Sequence, residues 1–214
     1  MIRLNLFKSV RNVLCLGAHC DDIEIGCGAT VLHAIDQNPD LNFLWVVFSG
    51  DAARHAEARA GAADFLGGAA STRVAMHGFH DGNFPFDGSN IKGVFESLKG
   101  EFSPDLIFTH YREDRHQDHQ LISNLTWNTW RDHLILEYEI PKYDGDLGHP
   151  NLFVPFDEQT ARRKTDLLID AFPSQRGRHW FSADTFLSLM RLRGVECAAP
   201  SQYAEAFHAR KLTV

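Results

Sequence analysis

The sequence predicts an α/β fold, a three-layer sandwich with helices on both faces of a mostly parallel sheet, on three observations. Short apolar runs rich in β-forming residues alternate with longer helical stretches along the chain. The first two runs each lead through a polar loop into a helix, repeating one strand–loop–helix unit. Two clusters of histidine and aspartate each follow such a run, at the carboxyl ends of strands where open parallel sheets place their ligands.

The elements follow in order. Residues 12–17 read as a buried strand, and a helix is expected to begin near Gly26, with Val31, Leu32 and Ile35 at helical spacing until Asn38-Pro39 stops it. Residues 43–48 form a second apolar run ended by Ser49-Gly50-Asp51, and residues 52–66 an alanine-rich helix closed by Gly67-Gly68. Residues 72–79 make a third, more polar strand, and residues 80–89 carry the Gly, Asn, Pro and Asp of a turn-rich loop. A helix over 91–101, a strand over 104–109, a helix over 119–132 with Leu121, Leu125 and Trp130 towards the core, and a strand over 134–140 come next. Beyond Pro141 the pattern loosens. Residues 152–155 read as a short strand, 157–171 as an amphipathic helix capped by Asp157, 183–193 as a further helix, and 202–212 as a returning edge strand.

With 214 residues, 44% of them hydrophobic, and no repeat or linker, the chain reads as one domain over 1–214. A net charge of −7 leaves no basic face for a phosphate backbone, which excludes a nucleic-acid partner. Residues 1–8 carry neither an apolar leader nor a membrane span, so a cytoplasmic location is expected. The cysteines at 15, 20, 27 and 197 have no paired spacing and read as free thiols.

The chemistry concentrates in Ala18-His19-Cys20-Asp21-Asp22, directly after the first strand, and His116-Gln117-Asp118-His119, after the fourth. Both belong at one sheet edge, where two such clusters can share one metal ion. AHxDDxExGCG near the amino terminus, with HxDH about a hundred residues later, resembles the LmbE-like or PIG-L family of zinc-dependent N-deacetylases. The resemblance continues through Phe79-His80-Asp81-Gly82, Ser174-Gln175 and the closing Tyr203-Ala204-Glu205-Ala206-Phe207.

It implies a Rossmann-like, LmbE-like fold and hydrolysis of the N-acetyl amide of an amino sugar or its conjugate to the free amine and acetate. Members of the family often form homo-oligomers. Catalytic zinc takes three protein ligands and leaves a position for water, and His19, Asp22 and His119 supply such a set for Zn²⁺ or another divalent ion. By the resemblance these three are the ligands and Asp21 is the general base. The division suits an Asp of pKa about 3.9, which deprotonates water usefully only after a metal has brought the water down to about 7. His116 is the candidate donor to the oxyanion or the leaving amine, with Asp118 orienting it.

Asp81 matches a sugar contact and otherwise reads as an Asp-Gly turn. Arg54 or Arg59 matches a basic residue that contacts substrate, and Arg54 is carried forward as the candidate. His110 reads as a pocket-wall histidine, and Tyr111, Arg112 and Asp114 as pocket lining. Gly26-Cys27-Gly28 reads as a tight turn before the helix rather than an anion-binding turn. Ser174 otherwise reads as a helix cap, and Glu205 as a solvated strand-edge residue. Trp127, Trp130, Trp180 and Phe181 read as core more readily than as a sugar platform.

Cys20 stands where the family most often has proline, and reads either as a structural substitution or as an extra thiolate ligand. Three other classes compete. Ile23 to Gly28 looks like the glycine-rich turn of an S-adenosylmethionine-dependent methyltransferase, which has no use for HxDH. A non-catalytic metal- or sugar-binding protein would close its zinc site with a fourth ligand, for which only Cys20 is at hand. A two-metal phosphoesterase wants more acidic ligands than the sequence offers.

Overall fold

The computed structural model describes residues 4–213; residues 1–3, which open the stretch read for a leader, and residue 214 lie outside them. The chain runs β1 (Asn12–Gly17), α1 (Asp22–Gln37), β2 (Asn42–Ser49), α2 (Ala52–Leu66), β3 (Ser71–Phe79), α3 (Gly88–Glu101), β4 (Leu106–His110), α4 (Gln117–Thr129), β5 (Leu134–Tyr138), β6 (Leu152–Phe156), α5 (Glu158–Ala171), α6 (Ala183–Glu196) and β7 (Tyr203–Ala209). Among the described residues no helix is long and apolar enough to cross a membrane.

The strands form one seven-stranded sheet in the order β3-β2-β1-β4-β5-β7-β6. The first five pair in parallel, and β7 runs antiparallel to both its neighbours. From β1 the chain winds outward through β2 and β3, then returns to add β4 and β5 on the other side. The reversal lies between β1 and β4, whose carboxyl ends open the crevice that such folds use for ligands.

Alternation along the strands sorts their side chains into two cores. Val13 and Cys15, with Phe43, Trp45 and Val47, pack beneath α1, α2 and α5; Leu14, Leu16, Leu44 and Val46 pack against Ile91, Phe95 and Ile122 of α3 and α4. These two apolar layers with the sheet between them are the three layers of the sandwich. The near-continuous burial of β1, β2 and β4 follows from cover on both faces.

Three differences from the sequence reading have physical causes. Helix α1 begins at Asp22, not near Gly26, so Gly26-Cys27-Gly28 is helix interior and forms neither a tight nor an anion-binding turn. The glycines there permit close packing: a Cβ at Gly26 would lie 2.2 Å from the Tyr138 ring, and one at Gly28 2.6 Å from Phe65. Helix α4 begins at Gln117 rather than His119, with His116 as its N-cap.

The last strand, β7, is interior rather than at the edge, between β5 and β6. Glu205 is accordingly buried, not solvated. Its carboxylate accepts the backbone N–H groups of Ala29 at 3.1 Å and Thr30 at 2.7 Å in α1, and pairs with Lys164 at 2.5 Å. Lys164 also donates to the Ile25 carbonyl at 2.6 Å. Charges buried this deeply persist because each has a partner.

Two predictions test this packing. Tyr138 cannot swing aside for a larger residue at 26, because its hydroxyl donates to the Leu16 carbonyl at 2.6 Å. Gly26→Ala should therefore cost about 1–3 kcal/mol of stability in denaturant titrations. On β7, burial, helped by the nearby Arg193 and Arg112 charges and opposed by a bond to the Leu147 carbonyl, pushes His208 down to about 4. Between pH 6.5 and about 4 the unfolded chain then binds a proton that the folded chain refuses, so stability falls as pH drops through that window. His208→Gln should flatten that part of a plot of thermal midpoint against pH.

Candidate active site

The site assembles at the carboxyl ends of β1 and β4. Past Gly17 the chain turns through Ala18 to Asp21, held by the Ser49 N–H donating to the Ala18 carbonyl at 2.9 Å and the Ser49 hydroxyl donating to it at 2.8 Å. Asp22, the first residue of α1, reaches back to accept the His19 N–H at 2.6 Å, which fixes the loop against the helix start. Asp21 and Asp22 sit at the positive end of the α1 dipole, where negative charge is favoured.

His19 Nδ1, His119 Nε2 and the Asp22 carboxylate converge. The two nitrogens are 3.1 Å apart, His19 Nδ1 is 3.3 Å from Asp22 Oδ2, and His119 Nε2 is 3.5 Å from Asp22 Oδ1. Ligands about 2.0–2.1 Å from a tetrahedral ion are separated by about 3.3 Å, so two imidazole nitrogens facing the two oxygens of one carboxylate at these distances fit Zn²⁺ or a similar divalent ion. Each imidazole has a carboxylate on its far nitrogen. His119 Nδ1 lies 2.9 Å from Asp114, and His19 Nε2 lies 3.1 Å from Asp81 and 3.3 Å from Asp118. Such partners accept the proton of the outer nitrogen, the arrangement that orients metal-ligating histidines. Burial brings His119 down to about 3, whereas at His19 burial is outweighed by Asp22, Asp118 and Asp81, which hold it well above its usual value. His116 comes close as well, since ring nitrogens of His19, His116 and His119 lie within 4.8 Å of one another.

Electrostatics divide the two adjacent aspartates. Burial works against the Asp22 carboxylate, but His119, His110 and His19 around it hold it well below the usual range. Asp21 goes the other way. Burial, helped by the Asp22 charge and opposed by Arg54, pushes it up to about 6. Arg54 donates to Asp21 Oδ1 at 3.0 Å, and Asp21 Oδ2 is buried without a hydrogen-bond partner.

Asp118 departs from the expected role. Its carboxylate does not orient His116; it accepts from the Gly82 and Phe84 N–H groups at 2.7 and 3.1 Å and so clamps the loop after β3. Gln117 adds a side-chain bond to the Gly82 carbonyl. Only the Asp118 backbone N–H meets His116, at Nδ1 and 3.3 Å, which leaves the proton of a neutral His116 ring on Nε2. The clamp sets Asp81 at the mouth, its side chain 74% exposed and one oxygen on His19.

Arg54 is less free than a substrate contact would be, since its guanidinium also binds Glu57 at 2.7 Å and Ser174 at 3.0 Å. Arg59 is exposed on α2. Cys20 stays out of the ligand set. Its thiol donates to the Ser49 carbonyl at 3.2 Å, and burial, against the Arg54 charge, pushes it up to about 12, so it remains a neutral thiol. Trp130 and Phe181 are buried in the cores, while Trp127 donates to Glu137 at 2.6 Å beneath the Arg210 guanidinium.

Sequence reasoning passed over one residue, Glu24, and gave two others, His110 and Asp114, no more than a place in the pocket wall. Asp114, read only as lining, is the partner of His119 and accepts the His116 N–H at 2.8 Å. His110 stacks on His119 with ring centroids 3.9 Å apart, and its Nε2 faces Asp22 at 3.2 Å. Glu24 is fully buried with both oxygens unpartnered; burial, with the charges of Asp21 and Asp22, pushes it well above the ordinary carboxyl range, so it is a neutral acid. The Glu in AHxDDxE was the available signal for Glu24, whereas no spacing marks the other two.

Solved structures share this fold at low sequence identity. An N,N'-diacetylchitobiose deacetylase from Pyrococcus horikoshii superposes with a TM-score of 0.76 at 19% identity, over 96% of this chain and 86% of that one. A conserved protein of Thermus thermophilus gives 0.74 at 17% identity, over 94% and 95%. GalB, the 4-carboxy-2-hydroxymuconate hydratase from Pseudomonas putida KT2440, gives 0.74 at 16%, over 95% and 98%. The PIG-L family model, described as GlcNAc-PI de-N-acetylase, matches residues 14–130, a stretch that contains His19, Asp21, Asp22, Arg54, Asp81, His116, Asp118 and His119. That match spans more than half of the 214 residues, and the chain belongs to the PIG-L, or LmbE-like, family.

Proposed function

We propose that the protein is a zinc-dependent N-deacetylase that hydrolyses the N-acetyl amide of an amino sugar or amino-sugar conjugate. The observation that carries the reading is the face of His19, Asp22 and His119, with donor atoms 3.1–3.5 Å apart, beside a carboxylate that has one unpartnered oxygen. The family model's description and the deacetylases among the structural relatives, which include the A40926 pseudoaglycone deacetylase Dbv21, support the amide and the sugar.

His19, Asp22 and His119 would hold a divalent ion, which would supply Lewis acidity to a water and to the amide carbonyl. The chain's own residues do the rest. Asp21 takes the water's proton at Oδ2 as the water oxygen bonds to the acetamide carbon, while Arg54 keeps Oδ1 occupied. His116 presents its Nε2–H to the developing oxyanion, and the proton held at Asp21 passes to the departing nitrogen as the carbon–nitrogen bond breaks, releasing the free amine and acetate. Asp114 holds His119 in one tautomer. Asp118 keeps the Asp81 loop in place, so that Asp81 faces the sugar hydroxyls at the mouth.

The test is metal content together with acetate release from N-acetylglucosamine derivatives. Zinc near one per chain is expected, with Asp21→Asn losing about 10²–10⁴-fold in kcat while the zinc stays bound. A protein that takes up no metal even after reconstitution would sink the reading. Asp114→Asn should weaken zinc by about 10–100-fold in chelator competition, because it removes the partner that orients His119.

A further inference from the structure

The network behind Asp21 extends well past Arg54. The Arg54 backbone N–H is fixed in the first turn of α2 by the Asp51 cap at 2.8 Å. Its guanidinium lies over the Phe172 ring, 5.3 Å from the centroid, and Phe172 is fully buried. One terminal nitrogen donates to Asp21 Oδ1 at 3.0 Å; the other donates to Glu57 Oε2 at 2.7 Å and to Ser174 Oγ at 3.0 Å. Ser174 in turn donates to both Glu57 oxygens, from its backbone N–H at 2.9 Å and from its hydroxyl at 2.7 Å. Glu57 follows Arg54 by one helical turn, whereas Ser174 comes 120 residues later, in the 3₁₀ turn Pro173–Gln175.

The arrangement is closed. A guanidinium is planar with donors at fixed angles, so bracing one nitrogen at two points fixes where the other aims. An arginine meant to grip a diffusing substrate keeps its fork open, but here both terminal nitrogens are already engaged. The Asp21 carboxylate is thereby held by one oxygen, and its second oxygen is the one without a partner.

We propose that Arg54 is a positioning residue for Asp21, and that Glu57 and Ser174 act on the reaction through it by locking its guanidinium. This rests on the reading of Asp21 as the base. The Ser174-Gln175 motif thereby acquires a role, since the segment after α5 sets the aim of a carboxylate at the end of β1.

The test compares kcat and KM on N-acetylglucosamine derivatives for the wild type, Arg54→Lys, Arg54→Gln, Glu57→Gln and Ser174→Ala, each also in the Asp21→Asn background. A misaimed base should cost about 10- to 100-fold in kcat, with KM changed less than about twofold, uniform binding being untouched. Arg54→Lys, which keeps a charged donor for Asp21, should recover part of the loss seen in Arg54→Gln. In the Asp21→Asn background the Glu57 and Ser174 changes should add nothing further.

A rise in KM at constant kcat would make Arg54 a substrate contact and overturn the proposal while leaving the deacetylase reading intact. Unchanged kcat in Glu57→Gln and Ser174→Ala would overturn it as well. An Asp21→Asn enzyme as active as the wild type would instead remove the base, and the proposal with it. Independently of turnover, crystal structures of the wild type and Glu57→Gln should show Asp21 bound to Arg54 in the first and released in the second; an unmoved Asp21 in the variant would overturn the proposal.

Discussion

The site depends on the burial of one carboxylate among imidazoles. Asp22 is almost inaccessible to water, and an isolated charge there would be costly. It is retained because the His19 N–H donates to it and because the rings of His19, His110 and His119 surround it. That single group ties the β1 loop, the start of α1, the end of β4 and the start of α4 together. The same crowding decides the character of its neighbour. Burial, with the Asp22 charge beside it, drives Asp21 towards protonation, and Arg54 opposes this by donating to Oδ1. Two adjacent residues of one type thus acquire opposite proton affinities through their surroundings alone, which is the logic by which enzymes separate paired carboxylates.

Much of this is legible in the sequence because the signals are local. The strands are short apolar runs next to turn residues, and α2 lies where its alanine-rich stretch and closing glycines place it. The proposed ligands are legible for the same reason, since each cluster adjoins a strand end. What cannot be read depends on packing between distant segments. Arg54 and Arg59 are five residues apart on one helix, about 140° around its axis, and nothing in either residue says which faces the β1 loop. Asp118 is expected to orient its sequence neighbour His116, but its carboxylate is claimed by the Gly82 and Phe84 amides, 36 and 34 residues away. The start of α1 is hidden because glycine is a poor helix former in isolation, whereas here Tyr138 and Phe65 leave no room for anything larger.

The shared fold carries less information about chemistry than the residues at its edge. A hydratase and several deacetylases superpose on this chain to a similar degree. Open α/β sheets offer the same crevice to unrelated reactions. The distinguishing content therefore lies in the contacts behind the site: Asp114 behind His119, Asp118 under the Asp81 loop, and Glu57 with Ser174 behind Arg54.

The place of β7 has a consequence for how the chain is made. In a sheet ordered β4-β5-β7-β6, the outer edge of β5 stays open and β6 has no strand to pair with until residues 203–209 have left the ribosome. The same late segment brings Glu205, which receives the Ala29 and Thr30 amides of a helix synthesised some 175 residues earlier. The helix that bears Asp22 is therefore completed only once a strand made long after it has emerged. A nascent chain stalled before β7 would present an unpaired parallel edge to its neighbours on the polysome, and chaperone protection of that edge would matter until β7 has emerged.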